Sequence, residues 1–177
     1  ANPDNGPAIK LLIDLLTRRE RKEDETKAIG FLVNQYKRTD DYRWKQNADD
    51  IRMKQLGREV RELDKAGNVE ALKEAKVAQL RFELTVYKDR VERYPTDNRA
   101  KFELAIRRFN AGQYDEAIPL FQAARVDPKN RTACGMYLGR CFFRKGYHSQ
   151  AVSGLKEGNR RTRRRGCPSR RRSNPQR

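Results

Sequence analysis

A single histidine, His148, stands in a chain of 177 residues. One imidazole cannot build a multi-histidine metal site, and no Cys/His cluster here has zinc spacing. No Gly-rich phosphate loop follows a strand. A Ser/His/Asp set would need His148 as its base, in a setting that does not suit one. Asp40-Asp41 and Asp49-Asp50 are adjacent carboxylates, but neighbours in sequence point apart on a helix, so they read as surface charge or caps. These absences lead to the expectation of a non-enzymatic chain with no cofactor and no metal.

Cysteine is also scarce. Cys134, Cys141 and Cys167 are an odd count with wide spacing, which argues against a disulfide framework. Cys134 and Cys141 are seven apart, hence two turns apart on one helix face, too far for a disulfide in a straight helix. They are expected as small buried apolar residues. No uninterrupted apolar run approaches a membrane span of roughly 20 residues, so a membrane partner is not expected. The start, Ala1 to Gly6, lacks the basic-then-apolar layout of a signal peptide. Either a Met was removed before Ala1 or the chain is a fragment. A cytoplasmic location is the default that follows.

Strand signals are scarce too: no stretch alternates Val, Ile, Thr and aromatics between turn residues. What the chain does have is charge. Charged residues make up 37% and apolar ones 36%, a balance that suits thin helical layers hiding one stripe per helix. The formal charge is +17, but nine arginines and no acid fall between Asn159 and Arg177, leaving +8 for residues 1–158. There, acids and bases are mixed as on solvated helix faces.

The pattern predicts helices over about Pro7–Arg19 and Thr26–Lys37, joined by the charged stretch Arg18–Glu25, as an N-terminal pair over residues 1–41. Asn5-Gly6-Pro7 is a start signal, and Ile9, Leu11, Leu12, Leu15 and Leu16 form an apolar stripe. In the second helix Ile29, Leu32, Val33 and Tyr36 share one side, and Thr39-Asp40-Asp41 is a turn and cap. Residues 42–95 predict a long antiparallel helical hairpin. Its arms run over roughly Tyr42–Lys65 and Val69–Arg93, broken at Ala66-Gly67-Asn68, where Gly suits a left-handed cap. Val77, Leu80, Leu84, Tyr87, Val91 and Tyr94 form a heptad-like seam on the second arm.

After Tyr94-Pro95 the sequence repeats. Leu104 recurs as Leu138, Phe109 as Phe143, Gly112 as Gly146, Ala117 as Ala151 and Phe121 as Leu155, each pair 34 apart. Each member is a small or apolar residue. Leu104-Ala105, Gly112-Gln113-Tyr114-Asp115-Glu116-Ala117, Phe121-Gln122-Ala123-Ala124 and Asp127-Pro128 make one unit, 98–130. Leu138-Gly139, Phe142, Gly146 to Ala151 and Leu155 make a second, incomplete one, 131–158.

On these residues the segment 96–158 resembles the tetratricopeptide repeat (TPR) family. The resemblance implies an all-α, helical-hairpin solenoid, with Gly112 and Gly146 closing the first helix of each pair. Ala117 and Ala151 would allow the second helix to pack closely, and Pro128 would end it. The segment departs from the family at Arg108, where an aromatic is usual, and at Lys101 and Gly135, where a bulky residue is usual. Pro128 comes one residue early. His148 occupies a position where the family has a helix-packing aromatic. Tyr94-Pro95 mirrors Val126-Asp127-Pro128, so the helix ending at Tyr94 resembles the second helix of a preceding repeat. Leu32, Tyr36 and Tyr42 echo a first helix.

The resemblance also implies a site. First helices of successive TPR repeats line a concave groove that holds a peptide segment of a partner. Carried over by position, the groove candidates are Arg99, Phe102 and Asn110 from one helix and Met136, Arg140 and Arg144 from the next. Ile106, Phe109 and Phe143 lie beside them, and some of these positions must be core. Arginine with aromatic and apolar anchors is a common hot-spot composition, and three arginines favour an acidic or carboxylate-bearing partner. The family's chaperone-tail-binding subset carries Lys and Asn where Phe102 and Ile106 stand, so that mode is not expected. The expected function is a protein–protein interaction scaffold.

The alternative rests on residues 159–177, which cannot form a packed helix and are expected to be disordered. Clustered arginines neutralise phosphates, so a nucleic-acid-associated role through this tail is the second reading. Equally, a repeat that stops mid-helix before Arg, Pro, Ser and Gly is what a shifted reading frame in GC-rich coding sequence gives.

Overall fold

Pro7 in the first turn, where its missing N–H is no loss, opens α1, Gly6–Thr17. Six further helices follow: α2 (Lys22–Thr39), α3 (Tyr42–Lys65), α4 (Val69–Arg93), α5 (Asn98–Asn110), α6 (Tyr114–Ala124) and α7 (Arg131–Arg144). The computed structural model describes residues 6–153, and helix resumes over 148–153. Among the described residues the fold is all-α, helix packed on successive helix. The expectations for the tail 159–177 and for Leu155 lie outside the described residues. Two compact units divide between Glu83 and Leu84, within α4.

In the first unit α2 begins at Lys22, earlier than the spacing of its apolar residues predicts. Glu23, Asp24 and Glu25 fill its first turn, where carboxylates are favoured by the helix dipole. The second half of the charged stretch Arg18–Glu25 is therefore helix, and residues 18–21 form the connection. Glu20 and Asp40, both with left-handed φ (52° and 51°), close the turns before and after α2. Asp41 caps α3 by accepting from the Arg43 backbone N–H at 3.0 Å. The core joins Ile13 of α1, Ala28 and Leu32 of α2, and Ala48 and Ile51 of α3, with Trp44 packed against it. At one end a polar set fastens α2 to α3. Arg58 is paired with the buried carboxylate of Glu25, and Gln55 donates to the Lys22 carbonyl at 3.3 Å.

α3 turns back into α4 through Ala66-Gly67-Asn68, with Gly67 at φ 70°. The Asn68 N–H reaches the Leu63 carbonyl and the Gly67 N–H the Asp64 carbonyl. In the antiparallel hairpin this makes, a Cβ at Gly57 would lie 3.9 Å from Gln79 Nε2 of α4. Of the expected seam on α4, Leu80, Leu84, Tyr87 and Val91 are half-buried and Val77 and Tyr94 exposed, while the fully buried side chain is Val86, off the seam. Apolar residues surround α4, so spacing alone picks no single face.

In the second unit Asp97 caps α5, accepting from the Arg99 and Ala100 backbone N–H groups at 2.8 and 3.0 Å. The turn from α5 to α6 is repeated 34 residues later from α7 to 148–153. Ala111→Arg107, Gly112→Phe109 and Gln113→Arg108 (N–H to C=O) become Lys145→Cys141, Gly146→Phe143 and Tyr147→Phe142. Gly112 and Gly146 sit at φ 76° and 82°, a left-handed cap that costs an L side chain strain. Leu104 and Leu138 are buried, as are Ala105 and Gly139, and Ala117 and Ala151. The 34-residue period is thus a period of backbone hydrogen bonds and of burial, not only of letters. Phe121, Ala124, Cys134 and Cys141 complete this core.

Candidate functional site

The face where α5 meets α7 is built around Tyr137. Its ring stacks on Phe121 at 5.0 Å with an interplanar angle of 7°. Phe102 and Phe109 of α5 meet it edge-on at 6.3 and 5.4 Å. Aromatic edge-to-face pairs of this kind fix ring orientation as well as burying area. Tyr137 thus locks the two helices side by side, and the face they present is a pre-formed surface.

The six expected groove residues divide. Phe102 is half-buried and packs on Phe121 and Tyr137, so most of its ring is core. Arg99 and Asn110 are exposed on α5. Met136, Arg140 and Arg144 are exposed on α7, with Arg140 held over the Tyr137 ring at 5.7 Å. Phe143 is 61% exposed and Met136 43%. Positions 136, 140, 143 and 144 follow helical spacing, so the structure brings Met136, Arg140, Phe143 and Arg144 into one stripe. Tyr137 was not a sequence candidate. Its counterpart one period earlier is Glu103, so the repeat carries no signal for an aromatic there.

Charge on this face is one-sided. Glu103 pairs with Arg107, and Arg108 with Glu116 at 3.0 Å. Arg99, Arg140 and Arg144 have no carboxylate partner among the described residues. α7 contains no acidic residue. Two guanidinium groups, Arg140 and Arg144, therefore remain available beside two exposed apolar side chains on α7, with Arg99 exposed on α5.

Reactive chemistry is not offered here. Cys134 and Cys141 are fully buried, and loss of water around each thiol pushes its pKa up to about 11. Buried from solvent and harder to ionise than a free thiol, both have the setting of inert structural cysteines. No three His, Cys, Asp or Glu side chains come together as a metal site among the described residues. Among those residues no helix is long and apolar enough to cross a membrane.

The first unit has a cleft of its own, about 780 Å³, running between α1 and α3 over Leu32 and Glu25 of α2. Its lining has five basic and five acidic side chains, and the Glu25–Arg58 and Asp41–Arg43 pairs are already closed. It therefore has no charge preference, unlike the α5/α7 face. Compared with protein-family models and with curated proteins, the chain matches none.

Proposed function

We propose that the chain is a non-catalytic protein-interaction scaffold of the TPR type that holds a peptide segment of a partner protein along the α5/α7 face. The observation that carries this reading is the stripe Met136–Arg140–Phe143–Arg144, which leaves two large apolar side chains in water on a helix whose opposite face is fully packed. Exposed apolar side chains beside arginine, on a surface fixed by packed aromatics, give a partner area to bury without reordering the scaffold. A cytoplasmic setting is the accompanying proposal.

The test is selection from an unbiased random-peptide library against the full chain and against Met136→Glu/Phe143→Glu. Peptides retained by the full chain and lost by the variant support the reading. Retention by both alike, or by neither, overturns it. The second reading, nucleic-acid association, is favoured by the nine arginines of 159–177.

A further inference from the structure

We infer that the segment held on the α5/α7 face is acidic and carries one large apolar residue, with the apolar side chain lodged between Met136 and Phe143 and the flanking carboxylates on Arg140 and Arg144. The inference rests on the reading of this face as a peptide site and specifies what it selects. The argument is one of charge complementarity. Three cations of the second unit are matched: Arg107 by Glu103, Arg108 by Glu116, Lys145 by Asp115. Among the described residues Arg140 and Arg144 have no carboxylate partner, and α7 has no acid to match them. A basic segment would meet like charge there, and a neutral one would leave the guanidinium groups without ionic partners. Carboxylates gain charge-assisted, bidentate hydrogen bonds from arginine. Arg140 is already oriented by its position over Tyr137, so less side-chain freedom is lost when it closes on a carboxylate.

The apolar requirement has its own basis. Met136 and Phe143 are two turns apart on one side of α7, so they flank Arg140 with apolar surface. Nucleic acid fits the same face less well. Tyr137, Phe102 and Phe109 spend their ring faces and edges on one another and on Phe121. That leaves Phe143 as the exposed ring on the stripe, where single strands call for successive stacking platforms.

The experiment measures fluorescence anisotropy of a labelled peptide, Glu-Asp-Glu-Phe-Glu-Asp with blocked ends, on the full chain. Comparison probes are its Gln/Asn counterpart, a Lys counterpart and a short oligouridine. Protein variants are Arg140→Glu/Arg144→Glu, Arg140→Gln/Arg144→Gln, and a chain in which the nine tail arginines are glutamine. Circular dichroism confirms helicity for each. The acidic peptide is expected to bind at least about tenfold tighter than its neutral counterpart, and to lose that margin on charge reversal while keeping most of it on tail neutralisation. The Gln pair should fall between, and charge reversal should favour the Lys peptide.

Equal binding of acidic and neutral peptides, both weakened by Met136→Glu/Phe143→Glu, overturns the acidic preference but leaves the peptide site standing. Binding that survives charge reversal and disappears with the tail arginines places acid recognition on the tail and overturns the inference. Tighter binding of oligouridine that depends on Arg140 and Arg144 overturns it in favour of RNA.

Discussion

Glu25 is the carboxylate most dependent on its neighbour. It is 2% exposed, and its charge is met by Arg58, whose side chain is 19% exposed. Removing one member of such a pair strands the other in a poorly solvated place. Arg58→Ala is therefore expected to destabilise the chain by about 3 kcal/mol, and Glu25→Gln/Arg58→Met by much less. Urea unfolding of the three proteins checks this, and equal losses in the single and double variants would show that the pair is not what Arg58 contributes. Sequence patterning could not find this contact. Glu25 sits in a charged run and its partner is 33 residues away, so nothing local separates it from a solvated acid. The thiols give a second residue-scale prediction. Cys134 and Cys141 ionise near 9 when unfolded and near 11 when folded. Between those values the unfolded state sheds the proton first, so stability falls as pH rises from about 9 to about 11, by at most about 1.4 kcal/mol per unit for each thiol. Cys134→Ala/Cys141→Ala should flatten that part of the pH–stability profile.

At the scale of elements, glycines separate by conformation. Gly112 and Gly146 hold positive φ, and a Cβ at either would meet nothing within 4 Å. Gly112→Ala should therefore cost about 1 kcal/mol from backbone strain alone. Gly30, exposed in α2 with equally open space and no positive φ, should gain about 1 kcal/mol on Gly30→Ala. Opposite shifts in thermal unfolding check the pair, and shifts of the same sign would contradict the role given to the turn. The positions of Gly112 and Gly146 were legible because left-handed caps call for glycine whatever the packing around them. Helix limits set by turn residues were legible too, at Lys65 and Val69 from Gly67 and at Arg93 from Pro95. The start of α2 was not, because its first turn is stabilised by charge and has no apolar residue to set a period. The buried side of α4 was not, because its apolar residues point all round the axis and only neighbours decide which are covered. The α5/α7 face was half legible. Period 34 aligned Phe109 with Phe143, yet Phe109 packs on Tyr137 while Phe143 is exposed. Both pack edge-on at 5.5 Å against the ring five residues on, Tyr114 and His148, and the extra cover on Phe109 comes from Tyr137, which the period does not repeat.

For the whole molecule the deciding quantity is where the +17 resides. Over 6–153 acids and bases interleave and many close into pairs, including Glu25–Arg58, Glu103–Arg107 and Asp115–Lys145. The positive charge of such a surface is diluted among acids, and its three unmatched groove arginines could contact only a few phosphates. Residues 159–177 concentrate nine positive charges with no acid among them. Counterion release scales with phosphates neutralised, with a slope of roughly −0.7 per phosphate on single strands. Any affinity of the full chain for oligouridine is thus expected to fall steeply with salt, and changing the nine tail arginines to glutamine should remove most of both the affinity and the slope. Arg99→Gln, Arg140→Gln and Arg144→Gln together should leave the slope nearly unchanged. Titrations from low to physiological salt on these proteins separate the two surfaces. A slope that followed the groove arginines and ignored the tail would make the helical face itself the nucleic-acid surface and displace the peptide reading, since the same few cations cannot be both the acid-selective seat and the main phosphate contact.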